Sequence, residues 1–318
     1  MKPSVLLFLL LIAGCARAQL PTPTAAPDIT RYVADYYAAH DTLYVRENNG
    51  RLEAVLKHQP SMLQHLAGDT FRTGAGRVVL GGDTVRYGTI TLLRRPVQAG
   101  TFRITPLRPP AELRRAALSA SPPPQPDTLR RPDLVELKSV DPTIKYDVRY
   151  ATTNNFMGEV FYSSEHAFMQ RPAAEAVARV NRNLNKFGYG LLIHDAYRPW
   201  YVTKMFWDAT PDSLKNFVAD PASGSRHNRG AAVDLTMYDL QTGLPVEMTG
   251  GYDEFSERSY PTYPGGTTAQ RAHRDVLRRA MEDEGFTVYP YEWWHFDYKD
   301  WKSYPVTNLT FEDLLRNR

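Results

Sequence analysis

Short runs of alternating apolar and polar residues fill the first third of the chain. Residues 42–46, 52–56, 76–80 and 84–87 carry β-branched or other apolar side chains at many alternate positions, and glycine-containing turns separate the runs. A period of two is typical of strands that bury one face, and closely spaced turns favour antiparallel pairing. Residues 29–107 are therefore predicted to form a small antiparallel β domain.

The second half of the chain changes to a longer period. Apolar positions recur near helical spacing at 172–187 and 270–284, and Gly188 and Gly285 stand where these helices would end. Apolar runs predict strands at 190–194, 286–289 and 294–298. Because helices and strands follow one another in mixed order, residues 133–318 are predicted to form an α+β domain with a small mixed sheet.

Residues 108–132, between the two regions, are rich in proline, alanine, arginine and serine. Proline at this density opposes helix and sheet formation, so an extended linker is predicted. A chain of 318 residues is long enough for two domains joined in this way.

The first 18 residues have the pattern of an export signal. Met1 and Lys2 give a positive start, and the apolar run at 5–12 is too short to span a bilayer. Two cleavage patterns compete: Cys15 follows Ile-Ala-Gly, as in a bacterial lipoprotein box, and Ala-Arg-Ala at 16–18 fits ordinary signal peptidase. The lipoprotein is favoured, because Cys15 is the only cysteine and stands where that box needs it. We therefore expect an exported, periplasmic protein, tethered to a membrane through lipidated Cys15.

The charge of the chain argues against a polyanionic partner. Its 38 basic and 35 acidic residues leave a formal net charge of +3, and no basic stripe with interleaved aromatic residues is visible. Binding to nucleic acid is therefore not expected. A small molecule or a peptide is the favoured class of substrate.

Two side chains that are close in sequence could hold a metal ion. His227 can offer a neutral ring nitrogen and Asp234 an anionic oxygen, and both are good zinc ligands. Gly230 and two alanines lie between them, so the backbone can turn tightly and let the side chains converge. Two ligands make a weak site, and His295 offers the third.

Glu292 lies three residues before His295. Catalytic zinc has three protein ligands and an open position for water, whose pKa it lowers toward ~7. A nearby carboxylate can then accept the proton of that water, and Glu292 has the chemistry of such a base. The chain lacks the H-E-x-x-H pattern of the helix-borne zinc peptidases.

Arg198, followed by Pro199, adds a third element. A peptide carbonyl becomes an oxyanion when hydroxide attacks it, and a fixed guanidinium offers charge and two donors at that position.

Taken singly, each of these residues also has an ordinary structural interpretation: a packed histidine, a turn-capping aspartate, a strand-edge acid or a salt-bridged arginine. The interpretation as an active site therefore depends on the three clusters together.

The motifs in these clusters resemble those of the D-alanyl-D-alanine dipeptidases, the group of zinc D-Ala-D-Ala peptidases that includes the vancomycin-resistance dipeptidases. The resemblance covers residues 135–305. It rests on Ser-x-His-x-x-Gly-x-Ala-x-Asp at 225–234, Glu-x-x-His at 292–295, Tyr-Arg-Pro at 197–199 and the segments 149–156 and 253–259.

The resemblance implies a metal cofactor and a role for each of eight residues. It implies one zinc ion per chain, held by His227, Asp234 and His295. Glu292 would be the general base and later the proton donor to the leaving amine, and Arg198 would stabilise the tetrahedral intermediate. The implied substrate-binding residues are Tyr150 and Asp253, which would hold the amino terminus, and Ser225.

The first domain has a resemblance of its own. Residues 29–107 resemble the small β domain that is appended to some serine β-lactamase-like enzymes, and this domain carries no catalytic motif. The matching positions are Tyr32, Tyr36, and the segments 42–46, 50–52 and 69–71.

Three functions are compatible with these residues. The first is hydrolysis of the dipeptide D-alanyl-D-alanine in cell-wall peptide recycling. The second is a zinc D,D- or L,D-carboxypeptidase or endopeptidase activity on longer peptidoglycan peptides, and the third is a non-catalytic zinc-containing module that binds wall peptides. A site that grips a free amino terminus favours the first, and the presence of Glu292 argues against the third, since a binding module needs no base.

Overall fold

Nine short strands build the first domain of the computed structural model, which describes residues 28–97 and 101–316. The strands are β1 (Ala34–Ala38), β2 (Asp41–Asn48), β3 (Arg51–Leu56), β4 (Gln59–Met62), β5 (Gln64–Ala67), β6 (Thr70–Thr73), β7 (Gly76–Val79), β8 (Thr84–Tyr87) and β9 (Ile90–Arg94). They form two antiparallel sheets, with strand orders β4-β3-β2-β1-β9-β8 and β5-β6-β7. The predicted antiparallel β domain is confirmed.

Alternation along the strands explains the core of this domain. On β2, Leu43 and Val45 are fully buried, whereas the other residues of the strand are half-buried. Asn49 and Gly50 both have positive φ angles, which lets the chain turn directly from β2 into β3.

The second domain combines six α-helices with seven strands among the described residues. Its helices are α1 (Pro110–Ser119), α2 (Leu137–Val140), α3 (Arg171–Asn185), α4 (Trp200–Ala209), α5 (Thr268–Asp283) and α6 (Phe311–Arg316). Its strands are β10 (Leu134–Glu136), β11 (Lys145–Tyr146), β12 (Phe168–Gln170), β13 (Tyr189–Asp195), β14 (Ala232–Asp239), β15 (Phe286–Tyr289) and β16 (Glu292–Tyr298). The central sheet has the order β11-β13-β14-β16-β15, in which β11 pairs in parallel with β13 and the other pairs are antiparallel. The predicted α+β class with a mixed sheet is confirmed.

Local sequence accounts for the limits of the two long helices. The α5 helix begins with a capping box, in which Thr267 accepts a hydrogen bond from the backbone of Gln270 and the Gln270 side chain accepts one from Thr267. Gly188 and Gly285 follow α3 and α5 with φ angles of +85° and +87°, as expected where a helix must end in a left-handed residue.

The segment predicted as an extended linker is different in the structure. Part of it forms the helix α1, which packs against α4. Leu113 and Ala117, four residues apart, are fully buried on its inner face, and Pro110 occupies a first-turn position where the missing N–H costs nothing. The prediction of an extended chain was wrong here. The many prolines around this segment drew attention away from Leu113 and Ala117, whose helical spacing allows one face of α1 to be buried.

Among the residues described, no helix has both the length and the apolar character needed to cross a bilayer. The predicted signal peptide at residues 1–18, with Cys15, lies outside the described residues.

Candidate active site

The central sheet places the first site residues side by side. Asp195 at the end of β13 lies opposite Asp234 on β14, and Asp234 lies opposite His295 on β16. Cross-strand partners point to the same face, and their Cβ atoms lie ~4.5–5.5 Å apart. Because Val233 and Leu235 enter the apolar core, the alternation of β14 turns Asp234 to the other face.

His227 reaches the same place from a short 3-10 helix, His227–Arg229. The helix ends at Gly230, whose φ angle is +64° and whose Cβ, if present, would clash with Leu134 Cδ2. Only glycine fits this turn, which returns the chain into β14.

The three side chains meet at one point. His227 Nε2 lies 3.0 Å from His295 Nδ1 and 3.3 Å from Asp234 Oδ1, and His295 Nδ1 lies 3.0 Å from Asp234 Oδ1. All three residues are buried. The structure therefore brings together the three residues that the sequence predicts as metal ligands.

Each of the three predicted metal ligands makes a further polar contact through its other ring nitrogen or carboxylate oxygen. His227 Nδ1 lies 2.6 Å from the carbonyl oxygen of Ala196, and His295 Nε2 lies 2.9 Å from Asp297 Oδ1. The Tyr252 hydroxyl donates to Asp234 Oδ2 at 3.0 Å. Partners of this kind fix the ring orientation and tautomer of histidines that bind metals.

The residues fit a zinc ion. Asp234 Oδ1 is buried and faces the ring nitrogens of His227 and His295 at 3.3 and 3.0 Å, so a cation between the three atoms could take all of them as ligands. Two imidazole nitrogens and one carboxylate oxygen are a donor set typical of catalytic zinc. Burial lowers the pKa of His295, but the carboxylates of Asp297 and Asp234 outweigh it and raise that pKa to about 10. A metal ion held by His295 needs the neutral ring, so its binding would displace this proton.

Glu292 begins β16 and lies beside the group. Its Oε2 atom is 3.7 Å from His295 Nδ1. Burial and the negative charge of Asp234 raise the pKa of Glu292 to about 7, against the opposing effect of His295. A carboxylate with this pKa can both accept and return a proton near neutral pH.

Arg198 is buried and held from several sides. Its Nε and Nη2 atoms lie 2.8 and 2.7 Å from Asp195 Oδ2, and Nη2 lies 3.6 Å from Asp234 Oδ2. Tyr162 donates to the other oxygen of Asp195 at 2.8 Å. The guanidinium is therefore fixed beside the predicted metal ligands, with little freedom to reorient.

The predicted substrate-binding residues lie around the same cavity. The Tyr150 hydroxyl donates to Asp253 Oδ2 at 3.0 Å, and Ser225 Oγ accepts a hydrogen bond from the backbone of His227 at 3.2 Å. Burial, and then the negative charges of Asp234 and Glu292, raise the pKa of Asp253 well above its usual value. A cationic group bound next to Asp253 would restore its ionised form.

Asp253 also has an unusual backbone. Its φ angle of +56° lies in the left-handed region, where a residue other than glycine costs on the order of 1 kcal/mol or more. Such a conformation persists only when its surroundings hold it in place.

All eight predicted site residues line one cavity of about 90 Å³. One water molecule needs roughly 10–15 Å³ of cavity volume. A cavity several times that size suits a ligand with the size of a short peptide. One wall is apolar and consists of Phe156, Phe206, Phe217 and Phe255. The rings of Phe217 and Phe255 stack with their centroids 4.9 Å apart, which stabilises this wall.

A protein-family model described as D-ala-D-ala dipeptidase matches residues 130–313. The chain belongs to this D-Ala-D-Ala dipeptidase family. A D-alanyl-D-alanine dipeptidase of Escherichia coli is 34% identical, over 55% of this chain and 89% of the relative. Those of Enterococcus faecalis and Streptomyces coelicolor are 34% and 31% identical, each over 53% of this chain and 92% of the relative.

Membership of the dipeptidase family confirms the resemblance that the motifs of the second domain predict. The family is zinc-dependent and hydrolytic. The match begins after the first domain, so the resemblance of residues 29–107 to a β domain of serine β-lactamase-like enzymes stays a prediction.

Sequence reasoning assigned no role to three residues that contact the predicted dipeptidase site: Asp195, Tyr252 and Asp297. Asp297 had a signal, because it follows His295 by two positions on a strand and must face the same side. Asp195 lies three residues before Arg198, a spacing that fits an ion pair only once the local turn is known. No sequence pattern indicates a role for Tyr252, because it reaches Asp234 only through the folded conformation of its loop.

Proposed function

We propose that this enzyme hydrolyses D-alanyl-D-alanine to D-alanine, with one zinc ion per chain held by His227, Asp234 and His295. The observation that carries the proposal is the pairing of Tyr150 with Asp253 in the cavity that the His-Asp-His group also lines. The relatives named D-alanyl-D-alanine dipeptidase, at 30–34% identity, support the same substrate.

Asp253 supplies the discrimination between a dipeptide and a longer chain. A free amino terminus carries the positive charge that a buried carboxylate needs in order to ionise. An acylated amine has no charge and a larger volume, so it would leave Asp253 protonated and would need more space beside that carboxyl group. The geometry therefore favours a dipeptidase over a carboxypeptidase or an endopeptidase.

The chain's own residues perform the proton transfers and hold the substrate. When bound, zinc supplies Lewis-acid chemistry, which polarises the scissile carbonyl and acidifies water. Glu292 accepts a proton from the attacking water at its carboxylate and returns it to the leaving amine. Arg198, fixed by Asp195, offers N–H donors where the carbonyl oxygen becomes negative.

A substrate panel tests this proposal. The purified protein should release D-alanine from D-alanyl-D-alanine, and N-acetyl-D-alanyl-D-alanine and a muramyl pentapeptide should be cleaved at least ~100-fold less efficiently, because a site built around a buried polar group rejects a ligand that leaves it unpaired. The measurement is kcat/KM for each compound, with Asp253→Asn as the control that should lose most of the preference. Rapid cleavage of the acetylated dipeptide by the unmodified protein would refute the dipeptidase assignment.

We further propose that the enzyme is exported and acts on peptides released from the cell wall, as a periplasmic protein tethered through lipidated Cys15. The support is the signal pattern of residues 1–18, in which Cys15 follows Ile-Ala-Gly. Expressed in a Gram-negative host, the full chain should enter the membrane fraction and incorporate labelled palmitate. The Cys15→Ala variant should do neither, and recovery of the unmodified protein as a soluble periplasmic form would exclude the tether.

A further inference from the structure

The β domain contacts the loop that carries Asp253. We define the Asp253 loop as residues 248–266, which lie between β14 and α5 and contain the 3-10 helix Glu257–Ser259. One side of this loop faces the cavity through Asp253 and Phe255. The other side faces the β domain through Glu257, only four residues after Asp253.

Glu257 is the meeting point of the two sides. Its Oε2 atom accepts a hydrogen bond from the Tyr44 hydroxyl at 3.1 Å and one from Arg95 Nη1 at 3.2 Å. Tyr44 belongs to β2 and Arg95 directly follows β9, so two separate segments of the β domain hold one loop carboxylate.

The end of the loop is attached to the same domain. Tyr263 donates to the buried Asp35 of β1 at 2.6 Å, and its ring packs edge-on against that of Tyr44. The Arg46 guanidinium donates to the carbonyl oxygen of Pro264 at 3.2 Å. The backbone N–H of Glu47 donates to the carbonyl oxygen of Gly266 at 3.2 Å. The contacts thus continue along one face of the β domain rather than meeting at a single point.

The loop also has bonds of its own, which determine what the β domain can add. Glu254 accepts from the backbone of Gly251 at 2.9 Å and from the Ser256 hydroxyl at 2.7 Å, and it pairs with Arg258 at 3.2 Å. These bonds fix the shape of the turn around Asp253.

The cavity side also holds the loop, because Tyr150 donates to Asp253 at 3.0 Å and Tyr252 donates to Asp234 at 3.0 Å. The contacts of Glu257 attach the opposite side of the loop to the β domain, so the loop is supported from both sides.

We propose that the β domain positions the Asp253 loop through the contacts of Tyr44 and Arg95 with Glu257, and so controls how tightly the active site holds the amino terminus of its dipeptide. This inference rests on the proposed function. It assigns to Tyr44, Arg95 and Glu257 a positioning role, since none of them touches the cavity. The left-handed backbone of Asp253 fits such a role, because a strained residue needs support from its surroundings.

Removal of a single hydroxyl tests the inference. Tyr44→Phe should raise KM for D-alanyl-D-alanine by roughly threefold to tenfold, which corresponds to the usual net value of one hydrogen bond. The turnover number and the zinc content should stay within about twofold of the unmodified enzyme, because the metal ligands, Glu292 and Arg198 are untouched. Tyr87→Phe is the matched control, since Tyr87 is a buried tyrosine of the same domain that packs in its core.

A double-mutant cycle separates this contact from a general loss of stability. Glu257→Ala should raise KM at least as much as Tyr44→Phe, and the combined variant should match Glu257→Ala alone, because the hydroxyl then has no acceptor to lose. Additive effects of the two changes, or an unchanged KM in both single variants, would overturn the inference.

Hydrogen exchange gives a second measurement that does not depend on activity. The amides of residues 250–260 should exchange faster in Tyr44→Phe than in Tyr87→Phe, with equal exchange in β14 and β16. If the unmodified protein fails to cleave the dipeptide, the proposed function is wrong, and this comparison still decides whether the β domain orders the loop. Equal exchange of the loop in the two variants would refute the positioning role.

Discussion

Replacing Glu292 by glutamine should abolish turnover of D-alanyl-D-alanine while one zinc ion per chain is retained. The change keeps the size of the side chain and removes its ability to accept a proton. Loss of a general base lowers kcat by roughly 10²- to 10⁴-fold. Metal content should not change, because the three residues that meet at the metal position are untouched. The measurements are single-turnover kinetics and metal analysis of the same preparations.

A matched control separates this effect from the general loss of a negative charge. Glu175 is an exposed residue of α3 that does not line the cavity, so Glu175→Gln should retain full activity. An active Glu292→Gln enzyme would show that another group accepts the proton. Loss of zinc from that variant would instead make Glu292 a ligand, since its oxygen lies only 3.7 Å from His295 Nδ1.

The eight residues that the sequence assigns to this site line one cavity, although they lie far apart along the chain. His227 and Asp234 are connected by a glycine turn, and Glu292 and His295 lie on one strand, so local patterns were enough to find each pair. What local patterns could not give is the register in which Asp234 faces His295 and Asp195. That register depends on contacts between strands that are distant in sequence, and only the fold specifies it.

The features that the sequence did not predict depend on tertiary packing. The α1 helix exists because Leu113 and Ala117 find a buried surface on α4, and no property of the proline-rich segment alone indicates that surface. The stacking of Phe217 on Phe255 and the attachment of Glu257 to the β domain likewise join segments without a common motif. By contrast, the two long helices were predicted correctly, because their apolar period and their terminal glycines are local signals.

Arg198 has a structural role as well as a chemical one, and two substitutions should separate them. Arg198→Lys keeps a positive charge but loses the planar pair of donors, and the loss of such an oxyanion contact lowers kcat by roughly 10²- to 10³-fold. Arg198→Ala should in addition lower the free energy of unfolding by roughly 3–5 kcal/mol, because the buried Asp195 carboxylate loses its charged partner. Burial already raises the pKa of Asp195, so its carboxylate depends on Arg198 to stay ionised.

The measurements for Arg198 are kcat for the lysine variant and chemical denaturation for the alanine variant. A second change provides the control: adding Asp195→Asn to Arg198→Ala should recover much of the lost stability and none of the activity, because it removes the unpaired charge without restoring a donor for the oxyanion. Wild-type kcat in Arg198→Lys would show that charge alone is needed near the carbonyl oxygen. Unchanged stability in Arg198→Ala would show that Asp195 takes up a proton at little cost in free energy. The hydrogen bond from Tyr162 at 2.8 Å would then be sufficient to stabilise the buried side chain.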